Sequence, residues 1–352
     1  MAAGASEPAP GVWGVGPGAW RLAAVAAGLA ADRLLGEPPA RVHPVAAYGA
    51  AMSRIERRAY ADRRSAGAAY ATAGVGLAAA LGHLAGRRRR PATAVATWVV
   101  VAGRGLALAA RDVALSLQQG DLVGARLSLP ALVGRDPDGL DAAEIARAVV
   151  ESVAENTVDA IVAPAMWAAM CGPAGALGYR AVNTLDAMVG HRCPRYQRFG
   201  WASARLDDLA GWVPARLTAV FVAAVRPAAA GSVWATVRRD APAHPSPNAG
   251  VAEAAFAAAL GVGLGGTSSY GRAVEHRPHL GTGRPASPQD IERAVRLSRD
   301  VTAALVASLL VASLLVAAST GGAGLRCAGV LGAASTGGAG VLGAGLRGGS
   351  LR

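Results

Sequence analysis

Residues 301–320 read VTAALVASLLVASLLVAAST, twenty positions without a charged side chain. At about 1.5 Å of rise per residue, that is the length a helix needs to cross the ~30 Å hydrocarbon core of a bilayer. Working back along the chain, residues 66–86 (AGAAYATAGVGLAAALGHLAG) give a second uncharged span, and residues 91–110 (PATAVATWVVVAGRGLALAA) a third with the single charge of Arg104. Only the four arginines 87–90 separate these last two, so they predict an antiparallel hairpin.

Composition agrees. Hydrophobic residues make up 53% of the 352 and charged residues 16%. Ala, Leu, Val and Gly dominate, the small-residue mix that lets membrane helices pack closely. The expected fold is all-α: a multi-pass helical integral membrane protein with polar motif-bearing loops and helices, and the lipid bilayer as its surroundings.

The net charge of +12 comes entirely from arginine, since the chain has no lysine. A Schiff-base lysine, a P-loop lysine and a Ser-Lys dyad are therefore excluded, and any phosphate must be gripped by Arg or backbone amides. The arginines are scattered between apolar segments and not interleaved with stacking aromatics, so no nucleic-acid partner is expected. The basic segment before the hairpin and the arginines at its turn would fall on opposite sides, so the positive-inside rule leaves orientation open. Cys171, Cys193 and Cys327 form no CxxC pair, and neither a disulfide framework nor a zinc site is indicated.

Other segments are less regular. Residues 11–31 form an apolar stretch interrupted by Pro17 and Arg21, read as a short or interfacial helix. A helix start is signalled at Asp141 and Glu144 after the turn GRDPDG. Residues 158–178 are apolar but broken by Pro164 and by Gly172-Pro173, which predicts a kinked or re-entrant segment. Residues 209–231 offer a further span, and 241–300 are polar and turn-rich. GVGLGG at 261–266 fits GxGxxG formally but follows an Ala-rich stretch, so it reads as a Gly-rich helix end that could present amides to an anion. Past residue 320 the chain repeats AASTGGAG in a low-complexity run that need not fold.

Three clusters could carry chemistry. In ESVAENTVDAIVAP, Glu151, Glu155 and Asp159 recur every four residues and share one helix face. Like charges at that spacing repel, so the stripe is either a cation site or a solvated face eased by Arg147. In YRAVNTLDAMVGHRCPRYQRFG, Asn183 and Asp186 lie one turn apart among arginines, which suits a phosphate–metal complex or an interfacial loop. In ARLDDLAGWVPARL, Asp207 and Asp208 stand between Arg205 and Arg216 at the mouth of a span, and an Arg205–Asp208 pair is the plainer alternative.

In succession, ADRLLGEPPARVHPVAAYG, LVGRDPDGL, ESVAENTVDAIVAP, YRAVNTLDAMVGHR, FGWASARLDDLAGWVPARL and SPNAGVAEAAFAAALGVGLGG resemble the CobD/CbiB family of cobalamin biosynthesis, over roughly residues 22 to 282. The resemblance divides the chain into an N-terminal extension (1–21), a membrane enzyme domain (22–320) and a Gly/Ala-rich tail (321–352). It implies an inner-membrane carbon–nitrogen ligase with a cytoplasmic active site. Such an enzyme joins aminopropanol, or its O-phosphate, to a propionate carboxylate of the corrinoid adenosylcobyric acid, with ATP and Mg2+ as cofactors. Carried onto this chain, Glu151, Glu155, Asn156, Asp159, Asp207 and Asp208 become the catalytic candidates, with Glu151, Glu155 and Asp159 as Mg2+ ligands. Asp32, His43, Arg135, Asn183, Asp186, Arg205, Arg216 and Asn248 become candidates for substrate or phosphate contact. A membrane prenyltransferase using Mg-diphosphate and a transporter built on broken helices are the alternatives from other classes.

Overall fold

The computed structural model describes residues 17–88, 91–134, 137–191, 193–270 and 273–335. The structure is mostly helical, and five helical segments among the described residues are long and apolar enough to cross a membrane. The chain is thus read as a multi-pass membrane protein.

Helix α1 (Pro17–Leu35) covers the interrupted first stretch and runs past Asp32. Helix α2 (Pro44–Ala59) starts where His43 accepts the Val45 N–H through Nδ1 and Pro44 occupies the first turn. Helix α3 (Arg64–Arg88) is the first arm of the hairpin. The second arm, expected as one span, is two helices, α4 (Ala92–Val100) and α5 (Gly103–Gln118). Between them Val101 is extended and Ala102 sits at φ −141°, ψ 35°. Irregular backbone at membrane depth must find partners inside the protein. Here Ala102 N–H donates to Ala160 O at 3.1 Å, and Arg104 N–H donates to the Asp32 carboxylate at 3.1 Å.

After the short α6 (Leu122–Ser128), helix α7 (Ala142–Thr157) begins with the reciprocal Asp141–Glu144 capping box that the sequence signalled. It passes through a π-helical turn, Val158–Val162, into α8 (Ala163–Val189). Pro164 does not break this run, because it falls in the first turn of α8. The break comes at Gly172, whose φ of 62° and ψ of −147° only glycine adopts readily, just before Pro173. With the kink included, Ala142–Val189 is one segment long enough to cross.

Helices α9 (Trp201–Val225), α10 (Ala230–Asp240) and α11 (Ala249–Leu260) follow. The all-α expectation holds, with one small sheet added after these helices. Gly261 ends α11 in the left-handed region, as a Gly-rich helix end should, but the chain continues as a strand. Strands β1 (Val262–Tyr270), β2 (Ala273–Leu280) and β3 (Arg284–Pro285) form a small sheet in the order β2-β1-β3, with β1 antiparallel to β2 and parallel to β3. Four glycines in six positions hide the alternation by which a strand is recognised. Helix α12 (Pro288–Ser335) contains the opening span and continues into the Gly/Ala-rich stretch to Ser335.

Two seams order the bundle. Helices α1 and α12 run antiparallel, with Ser313 Oγ donating to Ala19 O at 2.8 Å and Gly18 beside Val316. Helices α3 and α8 also pack antiparallel, and there small residues allow close approach. Gly74 faces Met52, Tyr48 and Leu185, and a Cβ on Gly82 would collide with the Pro173 carbonyl. Gly76, on the same helix, has open space around it. Gly82→Leu should therefore cost about 1–3 kcal/mol of stability, while Gly76→Ala should be neutral or slightly stabilising. Thermal unfolding in detergent checks this; equal midpoints for the two variants would mean that the seam is misplaced.

Candidate active site

The π turn, the last turn of α7, and helices α8 and α9 bring five carboxylates around one cavity of about 250 Å3: Glu155, Asp159, Asp186, Asp207 and Asp208. Asn248, just ahead of α11, closes it. A π turn inserts an extra residue into the helix and redirects the side chains that follow, a feature common at functional sites. Asp159 lies in this turn, where it accepts bonds from Asn183 Nδ2 at 3.3 Å and Tyr179 Oη at 3.4 Å. Tyr179, Asn183 and Asp186 lie at i, i+4 and i+7 on α8, so one face of that helix serves the cavity. Among the described residues, Asp207 Oδ1 is buried without a hydrogen-bond partner.

The acidic cavity opens onto a wider cleft of about 1010 Å3, with which it shares Ala204, Asp208 and Pro245. That cleft carries the opposite character: His191, Arg205, Arg216, Arg238 and His244 line it. Arg205 pairs with Asp208 at 3.4 Å, as the plainer reading of that motif has it. Arg216 stacks over Trp212 at 4.4 Å and donates to Asn248 Oδ1 at 3.2 Å, while Asn248 Nδ2 donates to Asp208 O at 2.8 Å. Arg216, Asn248 and Asp208 are thus linked in sequence along the line where the two chambers meet.

Not every candidate joins this group. Glu151 is buried away from the cavity, where Gly265 N–H donates to its Oε1 at 2.8 Å and Arg147 stands 3.9 Å off. The glycine-rich segment does present an amide to an anion, but the anion is the protein's own carboxylate. The four-residue stripe is therefore divided: Glu151 latches α7 to β1, while Glu155 and Asp159 face the cavity. Asn156 bonds back to Ser152 O at 3.0 Å and does not line the cavity. Asp32 caps α5, and His43 caps α2 with its other ring nitrogen 3.7 Å from Glu37. Burial pushes the Glu37 carboxyl up, and burial together with the Arg180 charge pushes the His43 imidazole down, so both shifts disfavour the charged form of this contact. Arg135 lies outside the described residues.

Sequence reasoning passed over Tyr179, Glu37, Arg238 and His244. Arg180 was noted only as one of several neighbouring arginines, yet it lies within electrostatic reach of both Glu37 and Asp159 and so connects the α1–α2 loop to the cavity. Tyr179 could have been found from its i, i+4, i+7 phase with Asn183 and Asp186. Among the described residues, no three His, Cys, Asp or Glu side chains close around a single point as a ready metal cage.

A family model described as CobD/Cbib protein matches residues 25–298. Among curated proteins, the chain is 50% identical over 291 residues to the cobalamin biosynthesis protein CobD of Mycobacterium tuberculosis, covering 80% of this chain and 93% of that one. It is 43% identical over 288 residues to the protein of the same description from Rhodobacter capsulatus, covering 78% and 91%. It is 42% identical over 279 residues to that from Chromobacterium violaceum, covering 76% and 88%. No solved structure matches.

The split of the acidic stripe is open to test. Glu151→Ala leaves a buried amide and Arg147 without their carboxylate, and should lower stability by about 1–3 kcal/mol. Glu155→Gln should leave the melting temperature unchanged. A Glu155→Gln protein that melts as early as Glu151→Ala would return the two residues to one role.

Proposed function

The chain belongs to the CobD/CbiB family, and we propose that it acts in cobalamin biosynthesis as an ATP-dependent ligase, joining aminopropanol or its O-phosphate to a propionate carboxylate of adenosylcobyric acid. The observation that carries this reading is the meeting of an acidic cavity and a basic cleft along Asp208, Asn248 and Arg216. A reaction between a carboxylate, a triphosphate and an ammonium needs both kinds of group, each held apart from the other.

A carboxylate is a poor acyl donor because its leaving group would be oxide. The step that removes this obstacle is attack of the carboxylate oxygen on the γ-phosphorus of ATP, which forms an acyl phosphate and releases ADP. The ammonium loses one proton to solvent, and the nitrogen of the resulting free amine attacks the acyl carbon. The C–N bond forms, phosphate departs with one of the original carboxylate oxygens, and the nitrogen gives up a proton. Asp207, whose buried Oδ1 has no hydrogen-bond partner among the described residues, is the proposed acceptor of that proton. Arg205 and Arg216 grip phosphate oxygens from the cleft wall, and Arg216 also orients Asn248. The cleft, at about 1010 Å3, is spacious enough to admit a bulky macrocycle edge-first.

The carboxylates fit Mg2+. They are hard oxygen donors around a polar cavity, the kind of surroundings in which an ion keeps several waters and is held by one or two carboxylates plus phosphate. Glu155 and Asp159 are the residues that would hold it, and Glu151 is not. Bound there, the ion would neutralise phosphate charge.

Oxygen-18 placed in the cobyric acid carboxylate should appear in released phosphate, and hydroxylamine in place of the amine should trap a corrinoid hydroxamate. Glu155→Gln and Asp207→Asn should each reduce turnover by about 10²-fold or more while the protein still inserts. Retention of all the label in the corrinoid product of active enzyme would reject acyl-phosphate activation. Full activity of both variants would reject this placement of the site.

The site should face the ATP-containing cytoplasm across the inner membrane. Helix α3 runs antiparallel to α8, so Arg87 lies at the end remote from the 190–200 loop, about 35 Å away along the helix. With Cys171 and Cys327 replaced, native Cys193 should be protected from an impermeant thiol reagent in intact cells, and an Arg87→Cys residue should be labelled. Labelling of Cys193 alone would invert the topology.

A further inference from the structure

A second chamber, of about 390 Å3, opens between α1, α5 and α12 and shares no lining residue with the acidic cavity or the basic cleft. Its depth is apolar, walled by Leu29, Leu106, Ile161, Val306 and Leu310. Its rim carries Arg33, Arg104 and Arg299. These arginines gather at one end because of the α1–α12 register. Ala19 meets Ser313, and fourteen residues further along α1 (33 − 19) and back along α12 (313 − 299) bring Arg33 level with Arg299. Arg111 and Arg33 both repel Arg299, and Glu292 offsets only part of that field.

The nearby acids are already engaged. Glu292 holds Arg111 through two bonds of 2.7 and 2.8 Å, and Asp32 accepts the Arg104 N–H. The Arg104 guanidinium donates to Leu34 O at 2.7 Å. Arg33 and Arg299 make no hydrogen bond or ion pair among the described residues. Two adjacent cations of this kind are poorly accommodated at a membrane-facing rim unless an anion meets them. From Arg299 to Leu310 the crevice follows α12 for eleven residues, about 16 Å, close to the depth of one leaflet of a ~30 Å hydrocarbon core.

We propose that this crevice binds an anionic phospholipid, with one acyl chain lying along α12 and its phosphate on Arg33 and Arg299. The site takes its charge preference from the rim and its demand for a chain from the wall. A phosphate without a chain meets only half of it, and a zwitterionic lipid brings a cation to a place that already has two.

Delipidated full-length protein titrated with dioleoyl phosphatidylglycerol, dioleoyl phosphatidylcholine or inorganic phosphate, and read by native mass spectrometry, tests the proposal. The phosphatidylglycerol adduct should form at least about tenfold more readily than the phosphatidylcholine adduct. The double variant R33Q/R299Q should lose that preference, R33K/R299K should keep it, and Ala307→Phe, which fills the crevice and spares the arginines, should weaken both lipids. Equal binding of the two lipids by the wild type overturns the site, as does a preference that survives R33Q/R299Q. Inorganic phosphate displacing phosphatidylglycerol at equal concentration would likewise overturn it, by showing that the chain contributes nothing. Should R33Q/R299Q fail to fold, the Ala307→Phe arm decides: unchanged phosphatidylglycerol binding there refutes the proposal.

Discussion

One hydrogen bond joins two of the places where this bundle departs from regular helix. Ala102 N–H, at the break between α4 and α5, donates to Ala160 O inside the π turn between α7 and α8. In water either irregularity could be hydrated. Within a membrane protein each needs an internal partner, and here each lies against the other. Asp32 completes the joint by accepting the next available amide at the start of α5, and Gly103 lets α5 come close to Asp32 and Ile161, where a Cβ would be crowded at 3.1 Å. The position of Asp159, one residue before Ala160, follows from this joint. So does the ability of α9 to bring Asp207 and Asp208 to the same cavity, since α9 packs on the helix that the π turn redirects.

Charge is partitioned as consistently as backbone geometry. Five carboxylates around a small cavity repel one another, and Asp208 among them is tied to an arginine, Arg205. The chain sets Arg205, Arg216 and Arg238 along a neighbouring chamber and lets single residues, Asp208 and Asn248, connect the two. Where an acid is structural the pattern differs: Glu56 is tied by Arg195 and Tyr196, and Asp290 by Arg284, Arg293 and Ser287. The contrast separates acids bound up in the fold from Asp207, whose buried Oδ1 has no hydrogen-bond partner among the described residues.

The sequence made the cavity acids visible more readily than their arrangement. Membrane helices, the capping box at Asp141, the kink before Pro173 and the acidic residues of α7 and α9 were all legible, because periodicity, hydropathy and capping act over a few residues. The role of Glu151 was not. A four-residue repeat places it with Glu155 and Asp159 on any uninterrupted α-helix, and nothing in VDAIV announces a π turn or tells that β1 will cover the preceding turn of α7. The sheet was hidden for a related reason: glycines at 261, 263, 265 and 266 erase the alternation of a strand, yet Gly265 and Gly266, at φ 80° and 90°, are what let the chain bend to present an amide to Glu151. Long-range pairings such as Arg111 with Glu292 leave no local trace at all.

The strength of a span in the sequence is also a poor guide to its place in the molecule. The stretch 301–320 is the clearest apolar run in the chain, and its helix is the least enclosed of the five crossing candidates, with 17% of its most apolar window buried against 61% for Ala142–Val189. Lipid-facing residues can be uniformly apolar because lipid makes no specific demand on them. A central helix must pack against protein on every side and carry the polar groups that do the work, so Glu155, Asp159, Tyr179, Asn183 and Asp186 interrupt its hydropathy. The interruptions that weaken α7 and α8 as membrane spans are therefore the features that mark them as the interior, and the uninterrupted α12 is free to serve as the wall that faces the bilayer.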